Sequence, residues 1–160
     1  FSRRCWDEGW LPRFIELMPI GDLVGQQATK RVTTREIVTE LEEDFALGLD
    51  TVDKVQALGP ARYSLVQAGQ YRGRRVGTIS PMSDLGFCGD CNRVRLTAKG
   101  GFRPCLANDN EVSILNAMRS GLSEREVLNL VRTAIEGKLE AHRMSSGSFV
   151  PLSVMTGIGG

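Results

Sequence analysis

Hydrophobic and polar positions mark out a series of short elements along this chain. "WLPRFIELMPIG", residues 10–21, is mostly apolar, alternates poorly and stops at Pro19 and Gly21, which predicts a buried strand running into a loop. Residues 22–32 read as polar connection. In "TTREIVTELEEDF", Ile37, Val38, Leu41 and Phe45 share one helical face, and Thr33 with Glu36 supplies a capping box at its start. "ARYSLVQA" and "RRVGTIS" read as strands joined by a turn between Gly69 and Gly73. "RVRLTA" and "FRPCL" flank Lys99-Gly100-Gly101, the pattern of a hairpin.

Further on, residues 111–119 predict a short helix closed by Gly121. Ser123 and Glu126 cap the next helix, in which Val127, Leu130, Val131, Ala134 and Ile135 form a core-facing stripe as far as about Gly137. From Ser145 the periodicity fails, and "SSGSFVPLSVMTGIGG" reads as a loop or tail. The sum is a small α+β unit with antiparallel strands and surface helices.

Composition adds bounds to this picture. The 160 residues suffice for one domain with a core, and 41% hydrophobic with 24% charged residues is the balance of a folded chain rather than a disordered one. No apolar run approaches the ~20 residues a membrane span needs. The chain opens on Phe1, not methionine, and reads as a fragment of something longer. Its four cysteines, with no export signal, point to a reducing compartment and to metal rather than disulfides.

The net charge of +1 conceals an asymmetry. Residues 36–53 hold seven acidic residues and no Lys or Arg, as a solvated helix face does. Residues 72–103 hold seven basic ones (Arg72, Arg74, Arg75, Arg93, Arg95, Lys99 and Arg103) against Asp84 and Asp90, and a compact anion is their natural partner.

The basic stretch coincides with three of the four cysteines, Cys88, Cys91 and Cys105. If the hairpin forms, its Gly-Gly turn brings Cys105 back toward the CxxC pair. Structural zinc needs a fourth ligand, for which Cys5 and His142 are the candidates. An iron–sulfur cluster held by three thiolates leaves one iron open to a substrate atom. Spacing alone leaves both readings standing. Arg93 and Arg95, two apart in the expected strand, would point to one face, where two guanidinium forks suit a polyphosphate. The plain alternative is that they are solvated arginines.

"FCGDCNRVRLT…GFRPCL", with "RFIELMPIG" upstream and a terminal "GG", closely resembles the C-terminal part of the GTP 3′,8-cyclases of molybdenum cofactor biosynthesis. The resemblance runs from about Arg13 to Gly160. These are radical SAM enzymes with one cluster near the N-terminus and a second in the C-terminal domain. The resemblance implies that residues 1–22 end an incomplete radical SAM (β/α) barrel with its last strand, that 23–144 form an iron–sulfur, GTP-binding domain, and that 145–160 form a tail.

It implies too that Cys88, Cys91 and Cys105 hold the second [4Fe–4S] cluster, whose open iron binds the guanine of GTP. Arg93, Val94 and Arg95 would line the GTP site. Met18 matches the position that contacts S-adenosyl-L-methionine, and Arg13 matches a pocket arginine. Gly159 and Gly160 would end a tail that threads into the active-site pocket. In the whole enzyme the first cluster reduces SAM to a 5′-deoxyadenosyl radical, which takes hydrogen from ribose C3′ of GTP. The sugar radical then closes onto guanine C8.

One departure from the family pattern matters. The CxxxCxxC triplet of radical SAM enzymes is absent, and Cys5, standing alone, is expected to be an ordinary buried thiol. The implied partners are GTP and a missing N-terminal radical SAM part, with a homodimer possible, no membrane and no nucleic acid, and a cytoplasmic location. The rival is a zinc-binding, nucleic-acid-recognition module using the same basic stretch. That reading wants exposed aromatics among the basic residues, and between 72 and 103 only Phe87 and Phe102 are aromatic.

Overall fold

The structure is a computed structural model and describes residues 1–20, 31–50, 60–84 and 86–142. The expected domain boundaries at 22/23 and 144/145, and the tail with Gly159 and Gly160, lie outside the described residues. Two compact units divide the chain: of the described residues, the first holds 1–18, 31–50, 60–84 and 86–91, and the second holds 19–20 and 92–142. The single α+β unit expected from the pattern is therefore two, each with its own sheet, and the α+β class holds for both.

The first unit opens with α1 (Ser2–Asp7) and β1 (Arg13–Ile15), followed by α2 (Thr34–Asp44), β2 (Leu47–Leu49), β3 (Arg62–Val66) and β4 (Arg75–Ile79). The sheet order is β1-β4-β3-β2. The two pairs β2/β3 and β3/β4 are antiparallel, and β1 lies parallel to β4 with Arg13 opposite Gly77. Gly69 and Gly73, at φ +78° and +85°, make the β3–β4 turn in a conformation that side chains resist. The capping box forms as the sequence predicts: Thr33 N–H and hydroxyl both donate to Glu36 Oε2 at 2.7 Å. Ile37, Val38, Leu41 and Phe45 are all half-buried on the inner face of α2.

Trp6, Val66 and Val76 form the fully buried core, with Phe14, Leu41, Phe45, Leu47 and Tyr71 packed against it. Helix α1 was not anticipated, although its Trp6 is the largest buried side chain. Strand β1 is found where expected but is not a buried strand. It lies at the sheet edge with Arg13 and Ile15 exposed and Phe14 half-buried.

The second unit contains β5 (Arg95–Leu96), β6 (Gly101–Arg103), β7 (Val112–Ser113), α3 (Ile114–Arg119) and α4 (Glu124–Glu136). Its three strands are antiparallel in the order β5-β6-β7. The Gly-Gly hairpin is confirmed: Gly100 takes φ +75°, and a Cβ there would fall 2.3 Å from Leu115 Cβ. The ladder is shorter than expected. Arg95 opposite Arg103 is the last pair of that ladder on the side away from the turn. Arg93 and Val94 therefore precede the strand, and the expectation that Arg93 and Arg95 share a strand face is corrected. Helix α4 carries its Ser123–Glu126 capping box, but its stripe is only half-buried and Ile135 is 47% exposed.

Candidate functional site

A lone carboxylate in an apolar run organises the approach to the CxxC pair. Glu16, just past β1, is 2% exposed. Its Oε2 accepts the N–H groups of Met82 at 2.9 Å and Ser83 at 3.0 Å, and its Oε1 accepts Thr34 N–H at 2.8 Å and the Ser83 hydroxyl. Thr34 opens α2, so the carboxylate also meets an orphan donor at the positive end of that helix. Burial by itself pushes the Glu16 carboxyl up; the Ser83 hydroxyl and the N–H groups of Thr34, Met82 and Ser83 together hold it below the ordinary value. Sequence reasoning passed over Glu16. The available signal was one acidic residue among Phe14, Ile15, Leu17 and Met18, since a charge in such a run needs partners if it is buried.

Beyond Ser83 the chain turns to carry Cys88 and Cys91, both half-buried, with Phe87 buried beside them. The turn is closed by Phe87 N–H to Asp84 O at 3.1 Å, Asp90 N–H to Gly86 O at 3.3 Å and Cys91 N–H to Cys88 O at 3.2 Å. Arg62 on β3 donates from Nε to Asp84 Oδ2 at 2.7 Å. Cys5 lies buried in α1, as an ordinary interior thiol.

In the second unit Cys105 is half-buried, two residues past β6. Arg103, which the sequence counted among basic residues open to an anion, is only 4% exposed. Its guanidinium donates to Asn108 O at 2.8 Å and Asp109 Oδ1 at 3.0 Å, within the loop that follows Cys105. Arg75 of the first unit likewise pairs with Asp50 at 2.6 Å. Arg75 and Arg103 are thus among the basic residues engaged within the fold. Arg93 and Val94 are exposed, and Arg95 is half-buried opposite Arg103.

Arg13 extends over the Tyr63 ring, its guanidinium carbon 5.6 Å from the ring centroid. Glycine at position 77 makes room for this, because a Cβ there would lie 2.9 Å from Tyr63 Cε1 and 3.1 Å from Arg13 Cγ. Met18 is half-buried at the end of the first unit's opening segment. A separate groove of about 450 Å³, lined by Phe1, Phe14, Val32, Ile37, Leu41 and Phe45 among others, contains none of the expected site residues.

Among the described residues no two cysteines form a disulfide, and no group of three or more His, Cys, Asp or Glu side chains is placed to hold a metal ion. What fits an iron–sulfur cluster is the donor chemistry, namely three partly accessible thiols of which two lie on one hydrogen-bonded turn.

Residues 12–144 match the family described as Molybdenum Cofactor Synthesis C. A GTP 3′,8-cyclase of Syntrophomonas wolfei is 40% identical over 136 residues, covering 84% of this chain and 40% of the relative. One from Desulforamulus reducens is 38% identical over 92% of this chain and 44% of its own length. One from Moorella thermoacetica is 38% identical over the whole of this chain and 47% of its own length. The chain spans less than half the length of each of these relatives. Among the described residues no helix is long and apolar enough to cross a membrane.

Proposed function

Because the chain belongs to the Molybdenum Cofactor Synthesis C family, we propose that it is the C-terminal part of a GTP 3′,8-cyclase. With SAM, that enzyme converts GTP to (8S)-3′,8-cyclo-7,8-dihydroguanosine 5′-triphosphate. In this reading Cys88, Cys91 and Cys105 hold a [4Fe–4S] cluster, which when bound supplies an iron with an open position for the guanine of GTP. Arg93, Val94 and Arg95 bind GTP, the arginines through the triphosphate. Arg13 and Met18 contribute to the SAM site at the end of a barrel that the N-terminal part completes. Gly159 and Gly160 reach the reacting ribose. The task of these residues is to hold GTP in a reactive pose, on which the rate of a ring closure depends strongly.

The observation that carries this reading is the CxxC pair on its closed turn, followed directly by Asn92-Arg93-Val94-Arg95. The test is anaerobic reconstitution followed by iron and sulfide analysis and an absorption spectrum with and without GTP. Iron and sulfide in near-equal amounts, and a spectrum that changes with GTP, are expected. Serine at Cys88, Cys91 or Cys105 should abolish or weaken loading, and serine at Cys5 should not. Zinc without sulfide overturns the reading in favour of a zinc-binding, nucleic-acid-recognition module. The chain by itself carries no CxxxCxxC triplet and is expected not to cleave SAM.

A further inference from the structure

The turn that carries Cys88 and Cys91 leaves the sheet after β4 and is tied back to it by one side chain of β3. Arg62 Nε meets Asp84 Oδ2 at 2.7 Å, and its Nη2 lies 3.9 Å from Asp90 Oδ2. Asp84 precedes the two thiols and Asp90 lies between them, so one guanidinium spans the entry of the turn and its middle. Asp84 passes the tie onward, since its Oδ1 accepts Gly86 N–H at 2.9 Å. A Cβ at Gly86 would stand 3.3 Å from that same oxygen and 3.5 Å from Arg62 Nη2, so the backbone runs flush against the brace.

A solitary exposed ion pair contributes little to stability, but here one guanidinium joins a hydrogen-bonded pair with Asp84 to a longer ion pair with Asp90. The second unit repeats the device, for Arg103 of β6 holds Asn108 and Asp109 in the loop that follows Cys105.

We infer that Arg62 is a positioning residue that shapes the Cys88–Cys91 turn before any metal arrives. What the turn then binds rests on the cyclase reading above; the brace itself does not. Two consequences follow. A turn ordered in advance loses less freedom on binding, so a cluster held there leaves more slowly. Arg62 also offsets the charges of Asp84 and Asp90, and its removal disfavours adding an electron nearby.

The test compares the full-length enzyme with its Arg62→Ala and Arg62→Lys forms. Without metal, Arg62→Ala should exchange amide hydrogens over residues 84–91 severalfold faster while β3 and β4 keep their protection. Arg62→Lys should recover part of the loss, because an ammonium can meet Asp84 but cannot fork to both acids. After anaerobic reconstitution, a chelator should bleach this chain's cluster severalfold faster in Arg62→Ala, and its reduction potential should fall. The difference from a matching Cys105→Ser form isolates this cluster from any other.

Unchanged exchange over 84–91 in Arg62→Ala overturns the inference, and so does a loosened turn whose cluster keeps wild-type bleaching and potential. If Arg62→Ala also loosens β3 and β4, Asp90→Asn decides. It cuts the far end of the brace while leaving the Arg62–Asp84 pair, and should speed exchange over 88–91; no change there also overturns the inference. If the wild type takes up no iron and sulfide while Arg62→Ala still loosens the turn, the brace stands and the cluster reading fails.

Discussion

The indole N–H of Trp6 donates to the carbonyl oxygen of Arg75 at 2.8 Å, joining α1 to β4 across 69 positions of sequence. The same ring meets Phe45 edge-on at 4.9 Å between centroids and Tyr71 at 5.2 Å. Trp6 is thus both the bulk of the core and the partner of a strand carbonyl. Trp6→Ala is expected to cost about 3–5 kcal/mol through the cavity it leaves. Trp6→Phe keeps most of the packing but removes the donor to the Arg75 carbonyl, for about 0.5–1.5 kcal/mol. Urea denaturation of the chain reads both, and an unchanged midpoint for Trp6→Phe would show that the hydrogen bond is dispensable.

Glu16 ties stability to pH. Its carboxyl is held below the ordinary value near 4.5 in the folded chain, so its stabilisation is complete above that value. The stabilisation is lost as pH falls through the lower folded value. Glu36 and Glu126, lowered by their capping Thr33 and Ser123, act in the same direction at the surface. Glu16→Gln should be less stable at neutral pH, because an amide nitrogen then faces donors, and should show a flatter acid limb. Urea midpoints measured between neutral pH and the acid transition give both slopes. Parallel slopes for wild type and variant would assign the acid sensitivity elsewhere.

Arg13 depends on two neighbours for its position. Tyr63→Leu removes the ring beneath it, and Gly77→Ala pushes into both side chains. If Arg13 serves SAM, each substitution should weaken SAM binding to the full-length enzyme about two- to fivefold, the scale of an exposed cation–π contact. Tyr63→Phe should be neutral, since the ring face remains. Calorimetric titration distinguishes these cases, and a loss in Tyr63→Phe equal to that in Tyr63→Leu would point to the hydroxyl instead.

Arg93→Ala and Arg95→Ala should each weaken GTP binding to the full-length enzyme by about 1.5–3 kcal/mol, the value of a hydrogen bond to a charged group. The loss should shrink for guanosine, which lacks the triphosphate. Arg93, exposed ahead of β5, should also show the steeper dependence on salt. Equal losses for GTP and guanosine would mean that the arginines act on something other than phosphate.

What the sequence disclosed was what is encoded locally. Both capping boxes, the Gly69–Gly73 turn and the Gly100 hairpin depend on residues within a few positions of one another, and all four are present. The strands β2 and β7, of three and two residues, are too short to show a period, and they exist because a neighbouring strand offers a ladder. Helix α1, six residues long, is held by the burial of Trp6 rather than by helix propensity. Among the expected site residues, the thiols and arginines were legible by type. Arg93 was misplaced onto a strand because apolar alternation does not register where pairing across the hairpin stops, which is at Arg95 opposite Arg103. The roles of Glu16 and Arg62 were hidden for a different reason, since their partners lie 18 to 67 positions away.

The parallel pairing of β1 with β4 has a kinetic side. Strands β3 and β4 can zip from their own tight turn, a local event on the microsecond scale. Strand β1 cannot, because among the described residues its ladder partner lies beyond α2, β2 and β3, and the closure of that long loop must come before those hydrogen bonds form. The opening segment, with Trp6, Arg13 and Glu16, is therefore expected to settle onto a preformed hairpin late in folding. Substitutions there should speed unfolding while leaving the refolding rate nearly unchanged.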